Sequence, residues 1–301
     1  MLLTYPTAYT FWMHYGSLDP QGRPHKPEIE SYPKPLHAFV SNAALRKHTS
    51  DVVSHVIPKG LSQNAFRRIS QGYSIIEPEL CFLLAAKTLS IPELVLLANN
   101  LCGIFCLDEK TNSGFGKREA ITSVQSIKQY LENVKNVDGI KKARTAIQYA
   151  CDGSGSPMES RIAAIGRLPF HLGGYGLSGF SLNCNVSLSS DGQRILHREF
   201  CCCDMVWPKE KVIVEYDSDQ FHMQKSQFYY DKRRSSALNI SGYQVVHITK
   251  VQLQTYSGIE DLFLAIRKTL GVRTRMERLG KYREKRDQAI RVLFFMHHSF
   301  L

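Results

Sequence analysis

Three carboxylates in residues 200–217, FCCCDMVWPKEKVIVEYD, are spaced so that they could act together. Residues 201–207 are apolar except for Asp204, and 212–216 form a β-branched run broken by Glu215. This is the composition of two strands. The polar residues Pro208, Lys209, Glu210 and Lys211 between them begin with a residue suited to a turn. A hairpin closing over those residues sets Trp207 opposite Val212, Met205 opposite Val214 and Asp204 opposite Glu215. Cross-strand partners have Cβ atoms about 4.5–5.5 Å apart. Asp217, two residues beyond Glu215, points to the same side of the sheet. Like charges set opposite each other destabilise a sheet, so such a cluster points to a cation, or to a shifted pKa, as part of its job. Hard divalent ions such as Mg²⁺ are held by one or two carboxylates plus substrate phosphates.

The elements around this hairpin read as follows. Asp152-Gly153-Ser154-Gly155-Ser156 has the composition of a linker. Ser156-Pro157-Met158-Glu159 then opens a helix as a capping box, with Ser at the cap, Pro first and Glu third. Glu159 therefore has a structural reason of its own. Gly173, Gly174, Gly176 and Gly179 read as a flexible loop, without the spacing of a phosphate cradle. Residues 180–188 and 195–203 read as strands around a turn at Ser190-Asp191-Gly192. Residues 224–241 form a polar helix with Asp231, Arg234 and Leu238 on one face, most simply a surface pair. Gly242 stops that helix before a strand at 243–249, and 259–270 is a further helix.

Upstream, residues 1–35 are rich in Pro, Tyr and Gly and read as an extended arm or a short irregular entry segment. Residues 36–58 read as small strands around a helix at 42–47, and 66–76 follows with Gly72 as a turn. Glu77-Pro78 starts a helix, and Ser90 caps a second apolar one over 91–106. Residues 123–136 and 140–149 read as amphipathic helices.

The chain has 301 residues and a formal net charge of +11, an excess that favours an anionic partner, nucleic acid or a membrane surface first. Hydrophobic residues make up 43% of it, enough for a sizeable core. No apolar run approaches the roughly 18–20 residues of a membrane span, and the N-terminus makes a poor signal peptide. The eight cysteines follow no zinc spacing and read as reduced thiols in a cytoplasm. The region 273–291 is dense in Lys and Arg, reading either as a solvated helix or as a phosphate-backbone contact.

In combination, Ser156-Pro157-Met158-Glu159-Ser160, Asp204-Met205-Val206-Trp207-Pro208, Glu215-Tyr216-Asp217-Ser218 with His222, and Asp231, Arg234, Leu238 and Gly242 carry a resemblance. Over residues 156–250 the chain resembles the small PD-(D/E)xK nuclease domains related to very short patch repair endonucleases. Residues 36–150 resemble more loosely the abortive-infection antitoxin-like domain that precedes such domains. Two departures stand out. Ser218 replaces the family's glycine, and Asp217 holds the place of the broader superfamily's lysine, as it does in this subgroup.

The resulting expectation is an α/β protein. A restriction-endonuclease-like mixed sheet flanked by helices occupies residues 153–272. It follows an arm (1–35) and a smaller mixed α/β or mostly helical domain (36–152), and a basic tail (273–301) ends the chain. The resemblance implies a metal-dependent endonuclease, with DNA ahead of RNA as substrate and the choice between them open, and no membrane partner. Glu159, Asp204, Glu215 and Asp217 are the expected catalytic residues, and Asp204 and Glu215 the expected ligands of Mg²⁺ or Mn²⁺. His222, Lys225, Asp231 and Arg234 are further candidates at the rim. Arg273, Arg275, Arg278, Lys281 and Arg283 are the candidate nucleic-acid contacts. A catalytically silent nucleic-acid-binding or regulatory protein of the same fold is the alternative.

Overall fold

The first strand lies in the middle of a sheet. In the computed structural model, which describes residues 1–16, 28–61, 63–217, 225–274 and 276–296, the chain divides into two units, Met1–Asp152 and Gly153–Met296. In the first unit β1 (Leu2–Leu3) leads into α1 (Thr7–His14). The strands β2 (Leu36–Val40), β3 (Val52–Val56), β4 (Phe66–Ser70) and β5 (Tyr73–Ile76) complete a five-stranded mixed sheet of order β3-β2-β1-β5-β4. The expected arm is thus overturned. Tyr9, Phe11 and Trp12 of α1 are buried, and Trp12 Nε1 donates to the Ile76 carbonyl at 2.9 Å. A two-residue strand and an eight-residue helix are too short to show a period, but their aromatic side chains fill the core. The helix expected at 42–47 is a single exposed 3₁₀ turn, Ala43–Leu45, capped by Asn42.

Two buried helices follow, α2 (Pro78–Ala85) and α3 (Ile91–Leu101). The apolar run does not stay helical to Cys106. It turns into β6 (Phe105–Leu107), paired with β7 (Phe115–Lys117), because periodicity alone cannot separate a buried strand from a buried helix. The unit ends with α4 (Val124–Asn133), whose Ile127 and Leu131 are buried, and α5 (Ile140–Ala146). This unit is mixed α/β, and it spans slightly more of the chain than the second.

The second unit opens with α6 (Pro157–Arg167) and runs through β8 (Ser181–Ser187), α7 (Ser190–Leu196), β9 (Phe200–Trp207) and β10 (Val212–Asp217). Then come α8 (Lys225–Ile240), β11 (Gln244–Thr249), α9 (Tyr256–Thr269), α10 (Met276–Lys281) and α11 (Arg283–Ile290). The sheet order is β11-β10-β9-β8; β8, β9 and β10 are antiparallel neighbours and β11 runs parallel to β10. Leu196, Cys203, Val206, Ile213, Ala237 and Leu238 form the core between sheet and helices on the α7 and α8 side.

Three expectations change here. The strand expected to start at 195 begins only at Phe200, because Ser190-Asp191-Gly192 is the first turn of α7 rather than a turn between strands. Ser189 caps it, accepting from Gly192 N at 3.2 Å, and His197 ends it at φ 56°. Gly192 is required by a close approach, since a Cβ there would lie 2.5 Å from Ser241 Oγ and 2.8 Å from the Ala237 carbonyl oxygen. The glycine loop at 173–179 packs inward, with Tyr175 and Leu177 buried and no room for a Cβ at Gly174, 2.1 Å from the Leu168 carbonyl oxygen. The basic stretch is helical, as one of its two readings had it, but it is not wholly solvated. Arg286 is buried, pairs with Glu260 at 2.7 Å and donates to the Leu279 carbonyl, while Ala289, Ile290 and Leu293 enter the core.

All eight cysteines are free, and among the described residues no helix is long and apolar enough to cross a membrane.

Candidate active site

The β9–β10 hairpin has the register its loop implies, with Trp207 opposite Val212, Val206 opposite Ile213 and Met205 opposite Val214. Beyond that rung the ladder stops, and the expected pairing of Asp204 with Glu215 is not formed. Asp204 turns its carboxylate into the place of the next backbone pair, and its Oδ2 accepts from Tyr216 N at 2.8 Å. On the other side of β9, Leu182 pairs with Met205 and Cys184 with Cys203, but Asn183 and Asp204 do not form a rung. Asn183 sits at φ 46°, a left-handed conformation that Asn tolerates better than most residues. This irregularity frees both side chains from the regular pleat.

Asn183 Nδ2 donates to Glu159 of α6, whose Oε2 also accepts from Gly155 N at 2.7 Å. Ser156 Oγ accepts from Glu159 N at 3.2 Å, so the cap is made. The return half of the box is displaced by one residue, to Gly155. Glu159 and Asp204 line one space of about 10 Å³ with Ile162, Leu182, Tyr216 and Ile248. That is room for roughly one water-sized occupant.

Glu215 is only 4% exposed, and its carboxyl lies near enough to that of Asp204 for each to act on the other's protonation. Burial and the Asp204 charge push Glu215 up to about 7, although the Arg234 guanidinium pulls it back. Burial likewise raises Asp204 against the Tyr216 N–H that stabilises its charge. Burial and the charge of Asp204 raise Glu159. Crowded carboxyl groups away from water retain protons more tightly, and a pair in contact titrates as one system.

Arg234 of α8 donates from Nη2 to Glu215 Oε1 at 2.8 Å, and its role is therefore larger than that of a surface partner of Asp231. Asp217 hydrogen-bonds His247 Nδ1 of β11 at 3.0 Å, a contact that raises the imidazole's pKa. Asp217 is thus drawn toward the neighbouring strand, while its charge still acts on Asp204.

The fold therefore gathers Glu159, Asp204 and Glu215, with Asp217 and Arg234 beside them. Asp231 lies half-buried one turn before Arg234. His222 and Arg275, and the side chains of Lys225 and Arg278, lie outside the described residues. Arg273, Lys281 and Arg283 are exposed, with Lys281 Nζ 5.5 Å from the Tyr282 ring centre.

Sequence reading missed Asn183, His247 and the thiols of Cys201 and Cys203. A cross-strand register is needed to place each of them, and no local pattern marks them. Among the described residues no group of three or more His, Cys, Asp or Glu side chains is arranged to hold a metal ion. The donors at Asp204 and Glu215 are hard carboxylate oxygens, of the type that divalent ions take together with water or phosphate oxygens, and Glu215 is already paired with Arg234. No family model, no curated protein and no solved structure matches the chain.

Proposed function

We propose that the second unit is a metal-dependent nuclease that hydrolyses phosphodiester bonds, with DNA ahead of RNA as substrate. The observation that carries this reading is the convergence of Glu159, Asp204 and Glu215 from α6, β9 and β10, each raised in pKa by burial, and Glu159 and Glu215 also by the Asp204 charge. The mixed four-stranded sheet between α6 and α8 also fits the restriction-endonuclease-like architecture that the sequence resemblance implies.

Asp204 and Glu215 would hold Mg²⁺ or Mn²⁺, with Glu159 and Asp217 around them. The bound ion would supply a water of lowered pKa and charge stabilisation at the phosphate. The chain's own groups do the rest. Gly155 N and Asn183 Nδ2 fix the Glu159 carboxylate, and its raised pKa brings it toward the range where a carboxyl group can both take and return a proton. Tyr216 N holds Asp204 in one orientation. The net charge of +11, with Arg273, Lys281 and Arg283 exposed, would draw in the polyanion without reading its sequence.

The test is nicking of circular DNA and cutting of RNA with Mg²⁺ or Mn²⁺, alongside melting with and without the ion. An ion bound only by the folded state raises its melting temperature. Wild-type protein should cut and gain stability, and Glu215→Ala should do neither. A second reading has one observation in its favour, since Arg234 already balances Glu215 without any ion. It makes the chain a silent nucleic-acid-binding or regulatory protein. Neither cutting nor metal stabilisation in the wild type would select it.

A further inference from the structure

Arg234 is anchored more heavily than a helix-surface arginine needs to be. Its Nη2 donates to Glu215 Oε1 at 2.8 Å and to the Cys202 carbonyl at 2.6 Å. Its Nε lies 3.1 Å from Cys201 Sγ, and Nη2 lies 3.8 Å from Cys203 Sγ. All four acceptors belong to β9 or β10, so the guanidinium bridges the two strands that carry Asp204 and Glu215.

Only one of these four contacts is to a carboxylate. The other three, a carbonyl and two sulfurs, would hold the guanidinium in place if Glu215 turned away. Glu215 is also the carboxylate assigned above to a divalent ion, and that ion would sit within a few ångströms of Arg234. Two cations that close in a partly buried site repel strongly. With no cation at all, a carboxylate buried beside other carboxyl groups takes up a proton instead of keeping its charge. Glu215 is therefore served by one cation at a time.

We propose that Arg234 is the internal counter-ion of this site. It pairs with Glu215 when no divalent ion is bound and gives Glu215 up, while staying docked on β9, when an ion binds. Arg234 is in this sense a positioning residue, and it sets the ion concentration at which the site fills. The inference rests on the reading of Asp204 and Glu215 as ion ligands.

The test measures Mn²⁺ affinity calorimetrically on the full chain, for wild type, Arg234→Gln and Arg234→Lys, with melting temperatures recorded in parallel. Arg234→Gln should melt lower than wild type without the ion and bind Mn²⁺ about tenfold more tightly, the least effect expected of one charge a few ångströms away. Arg234→Lys keeps the charge and should bind within about threefold of wild type by the same argument. If Arg234→Gln binds Mn²⁺ no more tightly than wild type does, the counter-ion role is wrong while the ion site stands. If wild type and Arg234→Gln both fail to bind, the ion site itself is wrong. Should Arg234→Gln not fold, the wild type decides the matter. The Arg234 Nε–H resonance should shift as diamagnetic Mg²⁺ is titrated in, and an unmoved resonance at saturating Mg²⁺ overturns the proposal.

Discussion

Two helices of this chain begin with the same short pattern and use it differently. Ser90-Ile91-Pro92-Glu93 opens α3 in the first unit, and Ser156-Pro157-Met158-Glu159 opens α6 in the second. In α3 the box closes, with Glu93 Oε2 accepting from Ser90 N at 2.8 Å. In α6 the serine still caps, but the glutamate turns to Gly155 N and to Asn183 of β8. The difference lies in what stands before each helix. The irregular rung of β8 and β9 presents Asn183 and Asp204 to Glu159, and burial with the Asp204 charge raises its pKa. A capping motif satisfies the orphan N–H groups of a helix in either case. Whether its carboxylate is left available for chemistry depends on neighbours distant in sequence.

The comparison is tested first where the effect should be largest. Asp204→Ala and Glu215→Ala should each lower nuclease activity roughly a thousandfold, equivalent to several kcal/mol of lost charge stabilisation. Both should stay folded by circular dichroism, with Glu215→Ala melting lower than wild type because it leaves the partly buried Arg234 guanidinium without its carboxylate. A Glu215→Ala protein that still cuts would move the chemistry to other residues. Next, Glu159→Gln should lower the rate on the order of a hundredfold, the low end for loss of a general acid–base group. Glu93→Gln should leave the rate unchanged. Equal losses at the two positions would reduce Glu159 to a cap.

A third prediction sets the two units against each other through pH. In the first, the ring nitrogens of His37 and His55 meet at 2.9 Å, and burial, with the imidazoles near each, lowers both pKa values. A lowered histidine binds fewer protons folded than unfolded, so its stabilising share is present above its unfolded pKa of about 6.5 and is lost as pH falls. In the second unit Glu215 is raised from 4.5 to about 7. It binds more protons folded than unfolded, so its share is present at and below about 4.5 and is lost as pH rises through 7. Asp204, Glu159 and His247 are also raised and act in the same direction. Cys201 opposes them, because the Cys203 hydrogen bond and Arg234 lower it to about 6.

Moving from pH 7.5 to 5.5 without metal should therefore weaken the first unit and strengthen the second. The two tryptophans make this readable, since Trp12 is buried in one unit and Trp207 in the other. Urea midpoints from Trp207→Phe and Trp12→Phe proteins should move in opposite directions, and Glu215→Gln should remove most of the gain in the second. Midpoints that move together would mean that the carboxyl cluster does not control that unit. The smallest effect belongs to the caps themselves. Ser90→Ala and Ser156→Ala should each cost about 1 kcal/mol in denaturant unfolding. A markedly larger loss at Ser156 would show that the cap also holds Glu159 in place.

Local chemistry along the chain was enough to determine several parts of this protein. The β-branched runs and the four-residue loop at 208–211 set the register of β9 and β10, because side chains alternate and the loop fixes where pairing begins. Ser156 and Pro157 determined where α6 starts, and Gly242, at φ 86°, where the segment after α8 turns into β11. Contacts distant in sequence decided the rest. The aromatic residues of α1 became core only because Leu2–Leu3 found places between β2 and β5. Gly192 became part of a helix because α7 presses against Ser241 and Ala237. Asn183 met Glu159, and Arg234 met Glu215, through strand register and helix placement that no local pattern encodes. The carboxylates were visible in the sequence as residues. Their burial, their effect on one another's protonation and the guanidinium that faces Glu215 come from the tertiary structure alone, since desolvation and Coulomb forces act through space and not along the chain.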